Sequence, residues 1–113
     1  EDLIKYLDKQ GLCGVQLVRS DRMLYEVLPN ESGKGKGVKR LCDLLGVPEK
    51  RLVGMGDYYN DRELLEAAAF SVVPDNAPAD IKALADLTTA ADNDSGAVAE
   101  ALDYIMEHKS SIF

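Results

Sequence analysis

Gly56-Asp57-Tyr58-Tyr59-Asn60-Asp61 is the stretch on which the fold turns. It follows Arg51-Leu52-Val53-Gly54-Met55, a short β-type run, and leads into an Ala- and Leu-rich helical segment over 61–69. A strand that passes through a glycine turn into a helix opens a parallel βα unit. In an open α/β sheet the ligand crevice lies outside the carboxyl ends of the strands, which is where Asp57 stands. Asp57, Asn60 and Asp61 are hard oxygen donors suited to Mg²⁺, an ion that takes one or two carboxylates and completes its shell with water and substrate phosphate. Direct ligation is expected of Asp57, and ligation through water or orientation of the site of Asp61. The same letters also fit an ordinary helix start. Asn60 followed by Glu63 has the spacing of a capping box, and acids favour the positive helix terminus. Spacing alone leaves both readings open.

Downstream, Phe70–Val73 reads as a strand, 78–85 as a helix, 87–89 as a brief extended piece and 96–107 as a last helix with Val98, Leu102, Ile105 and Met106 inward. Upstream, 3–10 reads as a short helix with Leu3, Ile4 and Leu7 on one side. A hairpin follows, 12–19 and 22–28 around Ser20-Asp21, with Leu17, Leu24 and Val27 among its apolar members. Pro29–Gly33 is a polar link. A helix over 35–45 carries Val38, Leu41, Leu44 and Leu45 as its apolar stripe and is stopped by Gly46 and Pro48. The expected class is α/β with parallel units.

The chain has 113 residues, of which 46% are apolar, and carries 20 acidic against 13 basic residues for a net charge of −7. That balance disfavours nonspecific binding to nucleic acid or to an anionic membrane surface. It leaves room for a small phosphorylated ligand held by a local cation or a metal. No apolar run approaches the length of a membrane span. Cys13 and Cys42 have no partners at metal-ligand spacing and read as reduced, which points to a cytoplasmic setting.

Other candidates are weaker. Gly33-Lys34-Gly35-Lys36-Gly37 lacks the earlier glycine and the Ser or Thr of a nucleotide loop, so what survives is a lysine at a helix entrance, placed to pair with a phosphate or a carboxylate. A flexible basic loop is the alternative. Asn76 precedes Ala77-Pro78 at a helix start, where capping is the simpler role. Tyr58 and Tyr59 stand beside the acids and either line a pocket or pack. His108, the sole histidine, reads as a residue of the last helix without an acid-base partner.

Taken together these pieces resemble the C-terminal part of the haloacid dehalogenase-like superfamily, in particular its Cof-type sugar and metabolite phosphatases. The resemblance is carried by Tyr25-Glu26-Val27-Leu28-Pro29, then Lys34-Gly35, and then the helix bearing Leu41, Cys42, Leu44, Leu45 and Gly46. It continues in Gly56 to Asp61, Leu64-Leu65, Ala67-Ala68, Asn76-Ala77-Pro78, Lys82, Ala85-Asp86, Thr88 and Gly96-Ala97-Val98-Ala99. It implies a Rossmann-like three-layer core over 31–113 and the helix and hairpin of an α+β cap over 1–30.

The resemblance also implies roles. Lys34 steadies a nucleophilic aspartate and the phosphoryl group. Asp57 ligates Mg²⁺ and Asp61 holds the metal shell. Asn60 donates to the phosphoryl region or to the lysine, and Asn76 and Tyr58 are pocket contacts. The substrate class implied is a small phosphorylated metabolite, with sugar phosphates foremost. The Asp-x-Asp-Gly motif that supplies the family's nucleophile does not occur in this sequence, and Pro74-Asp75 replaces the Met-Gly frequent before Asn76-Ala77. Three expectations follow: a phosphatase whose nucleophile lies outside this chain, a chain inactive by itself, and a homo-oligomer or pairing through an exposed sheet edge. The alternative is a small α/β association domain with a vestigial metal site.

Overall fold

The computed structural model describes residues 5, 6, 9–11 and 14–113. Two sheets form. Strands β1 (Val15–Arg19) and β2 (Tyr25–Pro29) make an antiparallel hairpin in which Leu17 faces Val27 and Arg19 faces Tyr25. The backbone closes between Ser20 and Leu24, so Ser20-Asp21 does mark the turn. Helix α1 (Lys34–Leu45) follows and ends at Gly46. Strand β3 (Val53–Met55) leads through a single 3₁₀ turn, Tyr59–Asp61, into α2 (Arg62–Ala67). Then come β4 (Phe70–Val73), α3 (Ala79–Lys82), β5 (Leu87–Thr88) and α4 (Ala97–Ile112).

Strands β3, β4 and β5 are parallel and lie in that order, with Val53 beside Phe70 and Val72 beside Leu87. This is the expected α/β class, a parallel sheet with helical crossovers. Order along the chain equals order across the sheet, so the outer edge of β3 has no strand beside it among the described residues. Leu65, Val73, Ala77 and Ile81 form the core cluster, with Tyr59, Leu84 and Ala85 packed on it. Ser71 fastens β4 to the segment before β5. Its N–H and hydroxyl both donate to Asp86 Oδ2, at 2.8 and 3.0 Å, and its Oγ accepts the Asp86 N–H at 3.1 Å. No helix among the described residues is long and apolar enough to cross a membrane.

The elements lie near where the sequence places them, although the strand expected from Arg51 starts only at Val53, after a 3₁₀ turn over Glu49–Arg51, and two inward faces differ. In α4 the buried residues are Ala97, Ala101 and Ile105, while Val98, Leu102 and Met106 are exposed. The face turned to the sheet is the neighbouring ridge at i, i+4 and i+8, whose alanines allow close approach. In α1, Gly35 and Cys42 are buried and Leu41, Leu44 and Leu45 are exposed. There the glycine lets the backbone of α1 meet α2, because a Cβ on Gly35 would lie 2.8 Å from the Glu63 carbonyl oxygen. Hydrophobicity alone selected the larger side chains, and the small ones make the contact. Leu24 and Val27 of the hairpin are exposed as well. The 78–85 helix contracts to Ala79–Lys82, and α4 runs five residues beyond the expected 107 to Ile112. The expected helix over 3–10 and Cys13 fall largely outside the described residues, whereas Cys42 is a buried free thiol.

Candidate active site

The site is built where β3 ends. Gly56 continues the parallel pairing by donating its N–H to the Val72 carbonyl at 3.2 Å, and Asp57 follows at the tip with its side chain exposed. The chain then turns through Tyr59–Asp61 and brings Asp61 back beneath that tip. Asp61 is 5% exposed, and its Oδ2 accepts the Asp57 N–H at 3.0 Å while its Oδ1 accepts from the Lys34 ammonium. Lys34 begins α1, so one carboxylate ties together the start of that helix, the tip of β3 and the start of α2. Burial opposes ionisation of Asp61, but the Lys34 ammonium and the Asp57 and Tyr58 backbone outweigh it and hold its pKa below the ordinary 3.8.

Two glycines make this geometry possible. A Cβ on Gly56 would lie 2.4 Å from the Asp61 Cβ and 2.8 Å from its Cγ. Gly33 caps α1 at φ 139°, and a Cβ there would lie 2.2 Å from Glu63 Oε2, which is buried and has no hydrogen-bond partner among the described residues. The Glu63 carboxylate thus sits against the positive end of α1, close to Lys34. Gly56→Ala is expected to push Asp61 off Lys34 and cost about 2 kcal/mol as an overpacked site. A urea midpoint equal to that of the wild type would refute this.

The helix-cap reading of the acidic stretch is not what forms. Neither the Tyr59–Asp61 turn nor α2 has a side-chain cap, and both Asp61 oxygens point to other partners. Lys34, Asp57 and Asp61 line one cavity of about 330 Å³, which Met55, Thr89 and Asn93 also border. Asn60 lies apart from it, lining a cavity of about 470 Å³ under the hairpin together with Lys34. Among the described residues no hydrogen bond joins the Asn60 side chain to Lys34. Tyr58 and Asn76 border a third cavity, which Asp57 shares. His108 is remote on α4, stacked on Tyr104 with centroids 4.1 Å apart.

Sequence reasoning missed Thr89, Asn93 and Glu100. Asn76 and Asn93 bond reciprocally, Nδ2 to Oδ1 at 2.8 Å and Asn93 N–H to Asn76 Oδ1 at 3.1 Å. Glu100 accepts the Ala90 and Ala91 N–H groups at 2.8 and 2.9 Å, which fixes the loop after β5 and lowers its pKa. A late polar loop facing the end of β3 was the available signal, and only the parallel topology supplies that facing.

The lowered pKa values of Asp61, Asp92 and Glu100 set an acid limb of stability. Each group is more acidic folded than unfolded. Its contribution is therefore complete above the ordinary values of 3.8 for Asp and 4.5 for Glu, and is lost as pH falls through the lowered folded values. Thermal melts from pH 6 downward should hold until that range and then fall, and Asp61→Asn should flatten the fall. An unchanged acid limb in Asp61→Asn would contradict the assignment.

As a set of donors, the Asp57 carboxylate accepts no hydrogen bond among the described residues, whereas both Asp61 oxygens are engaged. No group of three or more His, Cys, Asp or Glu able to hold a metal occurs among the described residues. Such a site fits a hard cation bound through one carboxylate of this chain, with the remaining oxygens from elsewhere, as Mg²⁺ permits.

A parallel sheet with a carboxylate and a lysine-paired acid gathered at one strand end defines an α/β core of the open-sheet class. The chain belongs to the haloacid dehalogenase-like hydrolases, whose family model matches residues 1–102. It is 35% identical over 96 residues to a phosphoglycolate phosphatase of Methanopyrus kandleri, covering 85% of this chain and 41% of that protein. It is 36% identical over 90 residues to Phosphatase YwpJ of Bacillus subtilis, covering 80% of this chain and 31% of that protein. A solved haloacid dehalogenase-like hydrolase from B. subtilis superposes with a TM-score of 0.74 at 28% identity, covering 94% of this chain and 35% of that one. The chain therefore spans well under half the length of these relatives.

Proposed function

We propose that this chain supplies the charge-compensating part of a Mg²⁺-dependent phosphomonoester hydrolase of the Cof type, acting in the cytoplasm on a small phosphorylated metabolite. The observation that supports it most is the convergence of Lys34, buried Asp61 and exposed Asp57 on one cavity at the end of β3. Relatives named as phosphatases support the reaction class, and their names run from phosphoglycolate to 5-amino-6-(5-phospho-D-ribitylamino)uracil phosphatases. Sugar phosphates are the substrates first expected.

In this reading Asp57 holds the cation, which when bound neutralises charge on phosphoryl oxygens. Lys34, oriented by Asp61, places an ammonium beside the nucleophile and the phosphoryl group. An aspartate from chain outside this sequence would attack phosphorus while a second aspartate outside it protonates the departing ester oxygen, and that second group, then a base, would take a proton from the water that hydrolyses the aspartyl-phosphate. Lys34 and Asp57 cannot replace that covalent route. The test is phosphate release from a panel of sugar and nucleotide monophosphates with Mg²⁺. The whole protein should turn over, and the 113-residue chain by itself should not. Robust turnover by the purified chain that disappears in Asp57→Asn would show that the nucleophile lies within it.

A second reading, an association domain, draws on the outer edge of β3 and on the exposed ridge Val98, Leu102 and Met106. We propose that upstream chain covers these in the whole protein, and that the 113-residue chain made separately pairs with a second copy. Sedimentation equilibrium should then show a dimer at micromolar concentration. A monomer at every concentration, with slow amide exchange in Val53–Met55, would overturn it.

A further inference from the structure

Lys34 is held at its head by Asp61, and a second acid lies at its base. Glu63 stands two residues after Asp61, in the first turn of α2, and its carboxylate lies against Gly33, the residue before Lys34. Gly35, the residue after Lys34, meets the same residue nearer its backbone. A Cβ on Gly35 would lie 2.7 Å from the Glu63 Cβ and 2.8 Å from the Glu63 carbonyl oxygen. Both glycines that flank the lysine are therefore needed for Glu63 to come so close.

The hydrogen bonds point the same way. Among the described residues the N–H groups of Lys34, Gly35 and Lys36 have no partner, and the Gly37 N–H makes the first bond of α1, to the Gly33 carbonyl at 3.0 Å. α1 has no side-chain cap and no acid in its own first turn. Glu63 Oε2 is buried and equally without a partner among the described residues. Unpaired donors at the positive end of a helix and an unpaired buried acceptor against its cap satisfy one another. Of the cations nearby, Arg62 donates to Glu66 at 2.9 Å and Lys36 to the Asn30 carbonyl. Glu63 does not border the cavity that Lys34 shares with Asp57 and Asp61, but the one under the hairpin. Any effect it has on the reacting atoms passes through Lys34.

Resting on the phosphatase reading above, we propose that Glu63 is a positioning residue for Lys34: its carboxylate takes the unpaired N–H groups in the first turn of α1 and fixes the backbone from which Lys34 reaches the phosphoryl group. Asp61 then fixes the ammonium, and Glu63 the start of the stem. The lysine is about half exposed, so without the second restraint its flexible four-carbon stem keeps its freedom. A misplacement of about 1 Å at a reacting centre costs up to about a hundredfold in rate.

The test measures kcat and KM of the whole enzyme for p-nitrophenyl phosphate in Glu63→Ala and Glu63→Gln, each with Lys34 intact and with Lys34→Ala. Glu63→Ala should lower kcat by about tenfold and change KM by less than about twofold. Glu63→Gln keeps an acceptor oxygen and should recover most of the loss. With Lys34→Ala in place, Glu63→Ala should lower kcat no further, because nothing remains to be positioned. An acid that serves only the packing of α1 on α2 would lower kcat by the same factor in both backgrounds, or lower the melting point and leave kcat intact. Either result overturns the proposal. Where Glu63→Ala does not fold, Glu63→Asp, one carbon too short to reach Gly33, takes its place under the same criteria. If p-nitrophenyl phosphate is not hydrolysed, or Lys34→Ala turns over like the wild type, the phosphatase reading of Lys34 fails, and amide hydrogen exchange judges the role of Glu63. Slow exchange at the Lys34, Gly35 and Lys36 amides that is lost in Glu63→Ala and kept in Glu63→Gln supports it. Fast exchange there in the wild type, or exchange unchanged in Glu63→Ala, overturns it.

Discussion

Asp57→Ala in the whole enzyme is expected to lower kcat by about a thousandfold or more, the scale of removing a principal electrostatic stabiliser from a reacting centre. Asp57 stands at the exposed tip of β3, and its backbone N–H is fixed by Asp61 at 3.0 Å. The side chain is therefore replaceable without unfolding its support. Asp61 keeps Lys34, and the Gly56–Val72 pairing is a backbone contact. Thermal stability should change little while turnover collapses. A melting point that falls with activity would show instead that Asp57 is a structural residue. His108→Ala, stacked far off on α4, serves as the matched control and should be nearly silent.

Lys34→Ala should cost nearly as much activity, about a hundredfold or more, with a different signature. Here the fold is touched as well. Lys34 is about half exposed, but its partner Asp61 is buried, and removing the ammonium leaves a buried carboxylate held only by backbone N–H donors. The expected loss is about 1–2 kcal/mol, discounted from a fully buried pair because the lysine end is solvated. The Asp61 pKa should rise, so stability should fall at a higher pH than in the wild type. Lys34→Ala/Asp61→Asn should recover stability and not activity. Recovery of both would mean that the pair only braces α1 against β3.

Much of the molecule is legible in its sequence, and the reasons are local. Gly46 takes the left-handed conformation that ends α1, Ser20-Asp21 makes the hairpin turn, and the short apolar run before Gly56 alternates with helical periods on either side. The acidic stretch was ambiguous because Asn60 and Glu63 have capping spacing. Lys34, 27 residues upstream, takes up Asp61 and so removes it from a capping role. The inward faces of α1 and α4 were not legible for a physical reason. Packing there is set by how closely backbones approach, so Gly35 and Cys42, or Ala97 and Ala101, take the interior and the larger leucines remain outside. Arg19 was equally hidden. A hydrophilic residue at a strand end has no period to mark it, and the rings of Tyr25, Tyr58 and Tyr59 beside it come from two separate parts of the chain.

The central claim is that Asp57 holds the cation for a phosphoryl transfer assisted by Lys34. The most direct measurement is phosphate release by the whole enzyme across a Mg²⁺ titration, in the wild type and in Asp57→Asn, with EDTA as the zero. The expected result is activity abolished by EDTA and restored by Mg²⁺, with the Mg²⁺ requirement of Asp57→Asn raised by about tenfold or more as a charged ligand becomes a neutral one. Hydrolysis that persists in EDTA, or a Mg²⁺ dependence identical in the two proteins, would contradict it.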